Sequence, residues 1–289
     1  MRPRSALVAR GMDANLGLRS RGLAARGEAV RGRWRVANLG PEGQSWFRRF
    51  HTAPQGATRL VCFPHAGGSA SSYLQLSKEL SSSLEVFAVQ YPGRQDRRGE
   101  PGFASMTALA ERIAEVITPL LDRPFAFFGH SMGAIAAFEV ARLLEARGGG
   151  TPRALFASGR RAPTTSRDES VHKRDDKGLI DEIRQLSGTD SRLFDDEEIV
   201  QMILPSLRSD YTAIETYEYR PGPDVSCPIV ALAADADPRV TIEEAQQWKQ
   251  HTADVFHLET FRGGHFYLND QVPQVARTVT AHLGAAAGG

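Results

Sequence analysis

From residue 58 onward, short apolar runs alternate with stretches whose apolar residues recur at helical spacing, and this alternation restricts the fold more than any other feature of the chain. Strands that follow one another across intervening helices pair in parallel, so the pattern predicts an α/β fold with a mostly parallel central sheet flanked by helices. The predicted strands are Arg59–Phe63, Glu85–Gln90, Phe125–Gly129, Ala154–Ser158, Pro228–Ala233 and Val255–Phe261. Their nearly unbroken apolar character fits strands buried on both faces. Met106–Leu121 reads as a helix with Ile113, Val116, Ile117 and Leu120 apolar, Ala134–Arg147 follows the third strand directly, and Val272–Leu283 reads as the closing helix.

One stretch breaks the rhythm. Residues 163–223 lie between two strands yet carry helical signals, with Leu179, Ile180, Ile183 and Leu186 in Lys177–Ser187 and Ile199, Met202, Ile203 and Leu207 in Asp195–Arg208. A helical insertion of this length is either an added structural subdomain or a lid over a pocket. Charge is divided unevenly along the chain. Residues 1–36 hold nine arginines against Asp13 and Glu28, a surplus of seven, so within a whole-chain charge of +1 the remainder carries about −6. Residues 1–45 therefore read as a basic, disordered extension, residues 46–289 as the folded domain. The extension is a targeting segment or a mis-assigned start, with Met12 as the alternative initiator. The apolar runs are too short to cross a bilayer, so a soluble protein without a membrane partner is expected, with the cytoplasm as its expected location. Cys62 and Cys227 match no metal or CxxC spacing and read as buried apolar residues.

Gly129-His130-Ser131-Met132-Gly133 fits G-x-S-x-G, the sharp turn that lifts a nucleophilic serine above a sheet. In a chain with 27 glycines the pattern alone is weak. Its setting carries the argument: Phe125–Phe128 supplies the strand before it and Ala134–Glu139 the helix after it. A serine hydroxyl is hardly ionised at neutral pH, so it needs a base, and the base needs a carboxylate to fix its tautomer. In this fold the order is serine, acid, histidine. His265, in Gly263-Gly264-His265-Phe266 after the last strand, is the candidate base; His51, His172, His251 and His257 occupy less suitable positions, and His130 reads as packing beside the elbow. Asp235 and Asp237, in the loop after the fifth predicted strand, both qualify as the acid. The oxyanion donors fall to the backbone N–H of Met132 and, from the loop Phe63-Pro64-His65-Ala66-Gly67-Gly68, that of Ala66. No phosphate-loop or dinucleotide pattern accompanies Gly67-Gly68, which argues against a nucleotide site, and nothing points to nucleic acid.

Phe63-Pro64-His65-Ala66-Gly67-Gly68, Tyr91-Pro92-Gly93-Arg94, Gly129-His130-Ser131-Met132-Gly133, Asp237-Pro238-Arg239-Val240 and Gly263-Gly264-His265-Phe266 occur in that order. Together they resemble the free-standing type II thioesterases that accompany polyketide synthases and nonribosomal peptide synthetases, over roughly residues 46–284. The resemblance implies an α/β-hydrolase fold, a helical lid at residues 163–223 and Asp237 as the acid. It also implies hydrolysis of acyl groups from the phosphopantetheine arm of acyl or peptidyl carrier proteins, which clears stalled or mis-primed synthases. Tyr91 departs from the leucine usual there, and Ala233-Ala234 from the glycine that often precedes the acid loop.

On this reading the carrier protein is the partner, the phosphopantetheine belongs to the substrate, and no metal or diffusible cofactor is needed. The protein is expected to act as a monomer. Met202, Ile203 and Leu207 are candidate contacts for the acyl chain. Arg94, Arg97 and Arg98 read as a solvated loop, with docking of an acidic carrier protein as the alternative. Rival functions are an acyltransferase or cyclising release enzyme using the same acyl-serine, an oxygen-ester hydrolase, and a partner-binding protein with a decayed site.

Overall fold

The computed structural model describes residues 39–187 and 196–285, so the basic segment before residue 39 and the predicted helix start at Asp195 lie outside the described residues. The strands, in chain order, are β1 (Phe47–Arg48), β2 (Arg59–Phe63), β3 (Glu85–Val89), β4 (Phe125–His130), β5 (Leu155–Ser158), β6 (Ile229–Ala234) and β7 (Phe256–Phe261). They form one sheet in the order β1-β3-β2-β4-β5-β6-β7, parallel except for the pairing of β1 with β3. The helices are α1 (Pro41–Trp46), α2 (Leu74–Leu80), α3 (Met106–Val116), α4 (Met132–Ala146), α5 (Asp176–Ser187), α6 (Glu197–Glu215), α7 (Ile242–Gln246), α8 (Tyr267–Asp270) and α9 (Val272–Ala285).

Every residue of β2 to β6 is buried, as their apolar sequences require. The last strand does not share this: β7 is a mixture of partly buried and exposed residues with only Phe261 buried, because it closes the sheet edge and has a neighbour on one side only. Cys62 and Cys227 are both buried and unpaired. The predicted helix beginning at Met106 stops at Val116, and the chain continues through a 3₁₀ turn at Thr118–Leu120 where Pro119 cannot donate to an α-helical ladder. Residues 39–45 are not part of the extension. Pro41–Trp46 is helical with proline in its first turn, Leu39 and Trp46 are buried, and the Arg97 guanidinium lies 4.4 Å from the Trp46 ring centre.

The helical insertion holds α5 and α6. Asp196 caps α6 by accepting the N–H groups of Glu198 and Ile199, and the helix runs through Pro205 to Glu215, beyond the predicted end at Arg208. Leu179, Ile180, Leu204, Leu207 and Tyr211 bury against one another, with Ala66 of the β2 loop packed against the same cluster. The insertion is thus seated over the end of the sheet where β2 and β4 finish. Among the described residues no helix is long and apolar enough to cross a membrane.

Candidate active site

The loops after β2, β4, β6 and β7 leave the same, carboxyl-terminal edge of the parallel sheet, where α/β folds gather their reactive groups. Ser131 sits between β4 and α4 with φ 55° and ψ −117°, a conformation a serine adopts only when its surroundings enforce it. Two contacts do so. The Ser131 N–H donates to Ser158 O at 2.8 Å, and α4 approaches β2 so closely that a Cβ on Gly133 would lie 2.0 Å from Phe63 O. Glycine at position 133 is therefore a packing requirement of the elbow.

His265, reached from β7, brings Nε2 to 3.1 Å from Ser131 Oγ, and its Nδ1 lies 2.8 Å from Asp237 Oδ2. The two aspartates of the acid loop have different tasks. The Asp237 side chain is 0% exposed, and its Oδ1 accepts the Arg239 N–H at 2.8 Å, which aims Oδ2 at the imidazole. Asp235 faces away and accepts the Gly263 N–H at 2.9 Å, tying the acid loop to the histidine loop. Two further backbone bonds join these loops, Asp235 N–H to Phe261 O and Ala236 N–H to Gly263 O.

Ala66 and Met132 line one small cavity with Ser131 and His265. Met132 is the first residue of α4, so its N–H has no acceptor within the helix. An adjoining cavity of about 150 Å³ shares Ala66, Leu186 and Tyr211 and is lined further by Ile183, Ile203, Leu207 and Phe266. Ile203 and Leu207 are four residues apart and face it together. Met202 does not join them: it is 53% exposed, since the preceding residue on a helix points about 100° away from Ile203.

The arginines after β3 are neither a solvated loop nor, as a group, a free docking surface. Arg94 and Arg97 are buried, the first bonded to Asp210 of α6 and the second stacked on Trp46. Among the described residues Arg98 is the one of the three without an ion pair, Arg97 also meeting Glu100. Tyr91 earns its departure from leucine by donating its hydroxyl to Pro64 O at 3.2 Å. Arg160, which sequence reasoning passed over, shares the cavity of Ser131 and His265. Its Nε is buried without a hydrogen-bond partner and its guanidinium makes no ion pair among the described residues, whereas nearby Arg161 and Arg239 both bind Glu169. The only signal for it was adjacency to β5.

Two more histidines stand behind His265. The His130 ring centre is 5.1 Å from that of His265 and 6.0 Å from that of His65. Burial, then the neighbouring His265 and Arg94, pulls the His65 pKa down to about 3; burial, then His265 and His65, lowers that of His130 well below the usual imidazole range. Both stay neutral in the fold, while in the unfolded chain each takes up a proton near about pH 6.5. The unfolded state therefore binds more protons below that pH, and stability present at neutral pH is lost as pH falls, by up to about 1.4 kcal/mol per pH unit for each histidine. Urea unfolding is expected to show a lower midpoint near pH 5 than near pH 7, with a smaller difference in His65→Gln. Equal slopes in the variant and the parent would show that His65 is protonated in the fold.

Among the described residues no group of three or more His, Cys, Asp or Glu side chains is placed to hold a metal ion. The family model for the thioesterase domain matches residues 58–283. The thioesterase PikA5 of Streptomyces venezuelae is 51% identical over 239 residues, spanning 82% of this chain and 85% of that protein. Among solved structures, the type II thioesterase BorB from the borrelidin biosynthetic cluster superposes with a TM-score of 0.78 at 46% identity, covering 83% of this chain and 98% of that one. RedJ, a thioesterase from the prodiginine pathway in Streptomyces coelicolor, gives 0.74 at 38% identity, covering 82% and 93%. A sheet of this order, a serine elbow at its carboxyl edge and likeness of this extent have one consistent meaning: the chain belongs to the thioesterase family and has the α/β-hydrolase fold.

Proposed function

We propose that the protein hydrolyses acyl thioesters from the phosphopantetheine arm of acyl or peptidyl carrier proteins, clearing stalled or mis-primed synthases through an acyl-Ser131 intermediate. The observation that carries this reading is the chain of contacts Ser131–His265–Asp237, at 3.1 and 2.8 Å, opening into the cavity that also holds Ala66 and Met132. His265 Nε2 takes the Ser131 proton as Oγ attacks the thioester carbonyl, and Asp237 holds the imidazolium through Nδ1–H. The Met132 and Ala66 N–H groups receive the oxyanion. The C–S bond then breaks, and the proton on Nε2 goes to the departing thiol. Water gives a proton to His265 and attacks the acyl carbon; collapse returns the proton to Ser131 and frees the acid. The chemistry is complete with these groups and calls for no cofactor of the enzyme's own. The similarity to a type II thioesterase of the borrelidin biosynthetic cluster and to a thioesterase of the prodiginine biosynthetic pathway supports this reading.

The apolar cavity under α6 takes the acyl chain, with Ile203 and Leu207 against it. Arg160 lines the cavity of Ser131 and its guanidinium has no ion-pair partner among the described residues, which favours an acyl group that carries an oxygen acceptor near the thioester. The test is mass spectrometry of carrier proteins loaded with a panel of acyl groups, before and after incubation. Loss of the acyl mass with appearance of the free acid is expected; a cyclic or transferred product would assign the chain to release or acyl transfer instead. In the same panel Arg160→Met is expected to lower turnover of β-oxo or carboxylated acyl groups by about 10-fold relative to plain alkyl groups, the range of one hydrogen bond to a charged donor. A uniform change across the panel would remove Arg160 from specificity.

A further inference from the structure

The loop that carries Ala66 is held at nearly every peptide, either by its own turn or by a group from elsewhere. Tyr73 donates to Phe63 O at 2.7 Å, Tyr91 donates to Pro64 O at 3.2 Å, and the Gly68 N–H turns back to His65 O at 2.9 Å. Beyond Ala66, the Gly67 N–H donates to Asp210 Oδ2 at 2.7 Å, and Arg94 Nη1 donates to Gly68 O at 2.9 Å. Arg94 and Asp210 then meet each other: Nη2 donates to Oδ1 at 2.7 Å and to Oδ2 at 2.8 Å. Both are buried, at 7% and 3% exposure. One comes from the loop after β3 and the other from the lid helix α6.

A buried ion pair is a poor device for stability alone, because the cost of removing both charges from water offsets most of their attraction, and apolar residues would hold a helix down as well. Direction is what the charged pair adds. The carboxylate fixes the peptide between Ala66 and Gly67, and the guanidinium fixes the Gly68 carbonyl two peptides further on. Oxyanion stabilisation depends on donor placement at that scale. Leu207, three residues before Asp210, presses on the same turn: Gly67 has φ +75°, and a Cβ there would lie 2.7 Å from Leu207 Cδ1.

We propose that Asp210 and Arg94 are positioning residues which couple the seating of α6 to the alignment of the Ala66 N–H, so that the oxyanion site is complete only with the lid helix in place. Displacing α6 removes the acceptor from Gly67 and releases the Arg94 fork together. The coupling rests on the acyl-serine reading above, and the test separates the two. It uses a trifluoromethyl ketone analogue of an acyl-pantetheine, whose adduct with Ser131 places an oxyanion in the hole, and the matching thioether, which cannot form one.

For Asp210→Asn, which keeps size and one acceptor oxygen, kcat is expected to fall about 10- to 100-fold, below the loss on removing a donor outright. Ketone affinity should fall by the same factor, with KM and thioether affinity within about twofold of the parent. Arg94→Lys, which keeps the charge without the fork, should fall between, and it carries the same comparison if Asp210→Asn does not fold. Unchanged ketone affinity, or equal loss for ketone and thioether, would overturn the coupling. Absence of a Ser131 adduct in the parent enzyme would instead overturn the acyl-serine reading.

Discussion

Replacing Ser131 with alanine is expected to lower thioester hydrolysis by about 10⁴- to 10⁶-fold with little change in thermal stability. Alanine removes the one oxygen that His265 Nε2 can activate at 3.1 Å while leaving the Met132 and Ala66 N–H groups in place. What remains is the fraction of catalysis that oxyanion binding and substrate positioning supply by themselves. The measurement is release of free thiol from an acyl-pantetheine thioester, run beside a melting curve for each protein. Turnover within about tenfold of the parent would place the nucleophile elsewhere, since no elbow serine contributes so little when it forms the acyl-enzyme.

Asp237→Asn is expected to cost about 10⁴-fold in kcat, and Asp235→Asn less than about tenfold. The reason lies in the tautomer. An amide at 237 can turn its NH₂ toward His265 Nδ1, which puts the ring proton on Nε2 and removes the acceptor that Ser131 needs. The enclosed position of residue 237 and the bond from the Arg239 N–H to Oδ1 prevent water from repairing the defect. At Asp235 an amide oxygen can still accept from Gly263, so the histidine loop keeps its tie. The same thiol-release assay across about pH 6 to 9 distinguishes the two, because a wrong tautomer lowers the plateau. A larger loss at 235 than at 237 would reassign the acid.

Much of the framework is legible in the sequence. β2 was placed to the residue and β3 to β7 to within one residue at each end, since buried parallel strands are written as unbroken apolar runs between turn residues. β1 was missed because two residues pairing antiparallel at an edge leave no periodicity to read. α1 was assigned to the extension for a related reason: Pro41–Trp46 is polar except at its end, and only Trp46 meeting Arg97 and burying against the domain makes it structure. Local spacing likewise gave no way to tell exposed Met202 from Ile203, one residue apart in an apolar stripe.

By itself the sequence determined the layered α/β architecture, the serine elbow with its strand and helix, and the order of acid and histidine loops. These are encoded by contiguous residues, because apolar runs, turn glycines and elbow sterics act over a few positions of chain. Tertiary structure alone decided that Arg94 and Arg97 are interior rather than solvated, that Asp235 ties the acid loop to Gly263, and that Asp210 reaches Gly67 across 143 positions of sequence. Each of those outcomes depends on which loops the sheet brings together at one edge, and hydrogen bonds between segments so far apart have no period or motif in the chain.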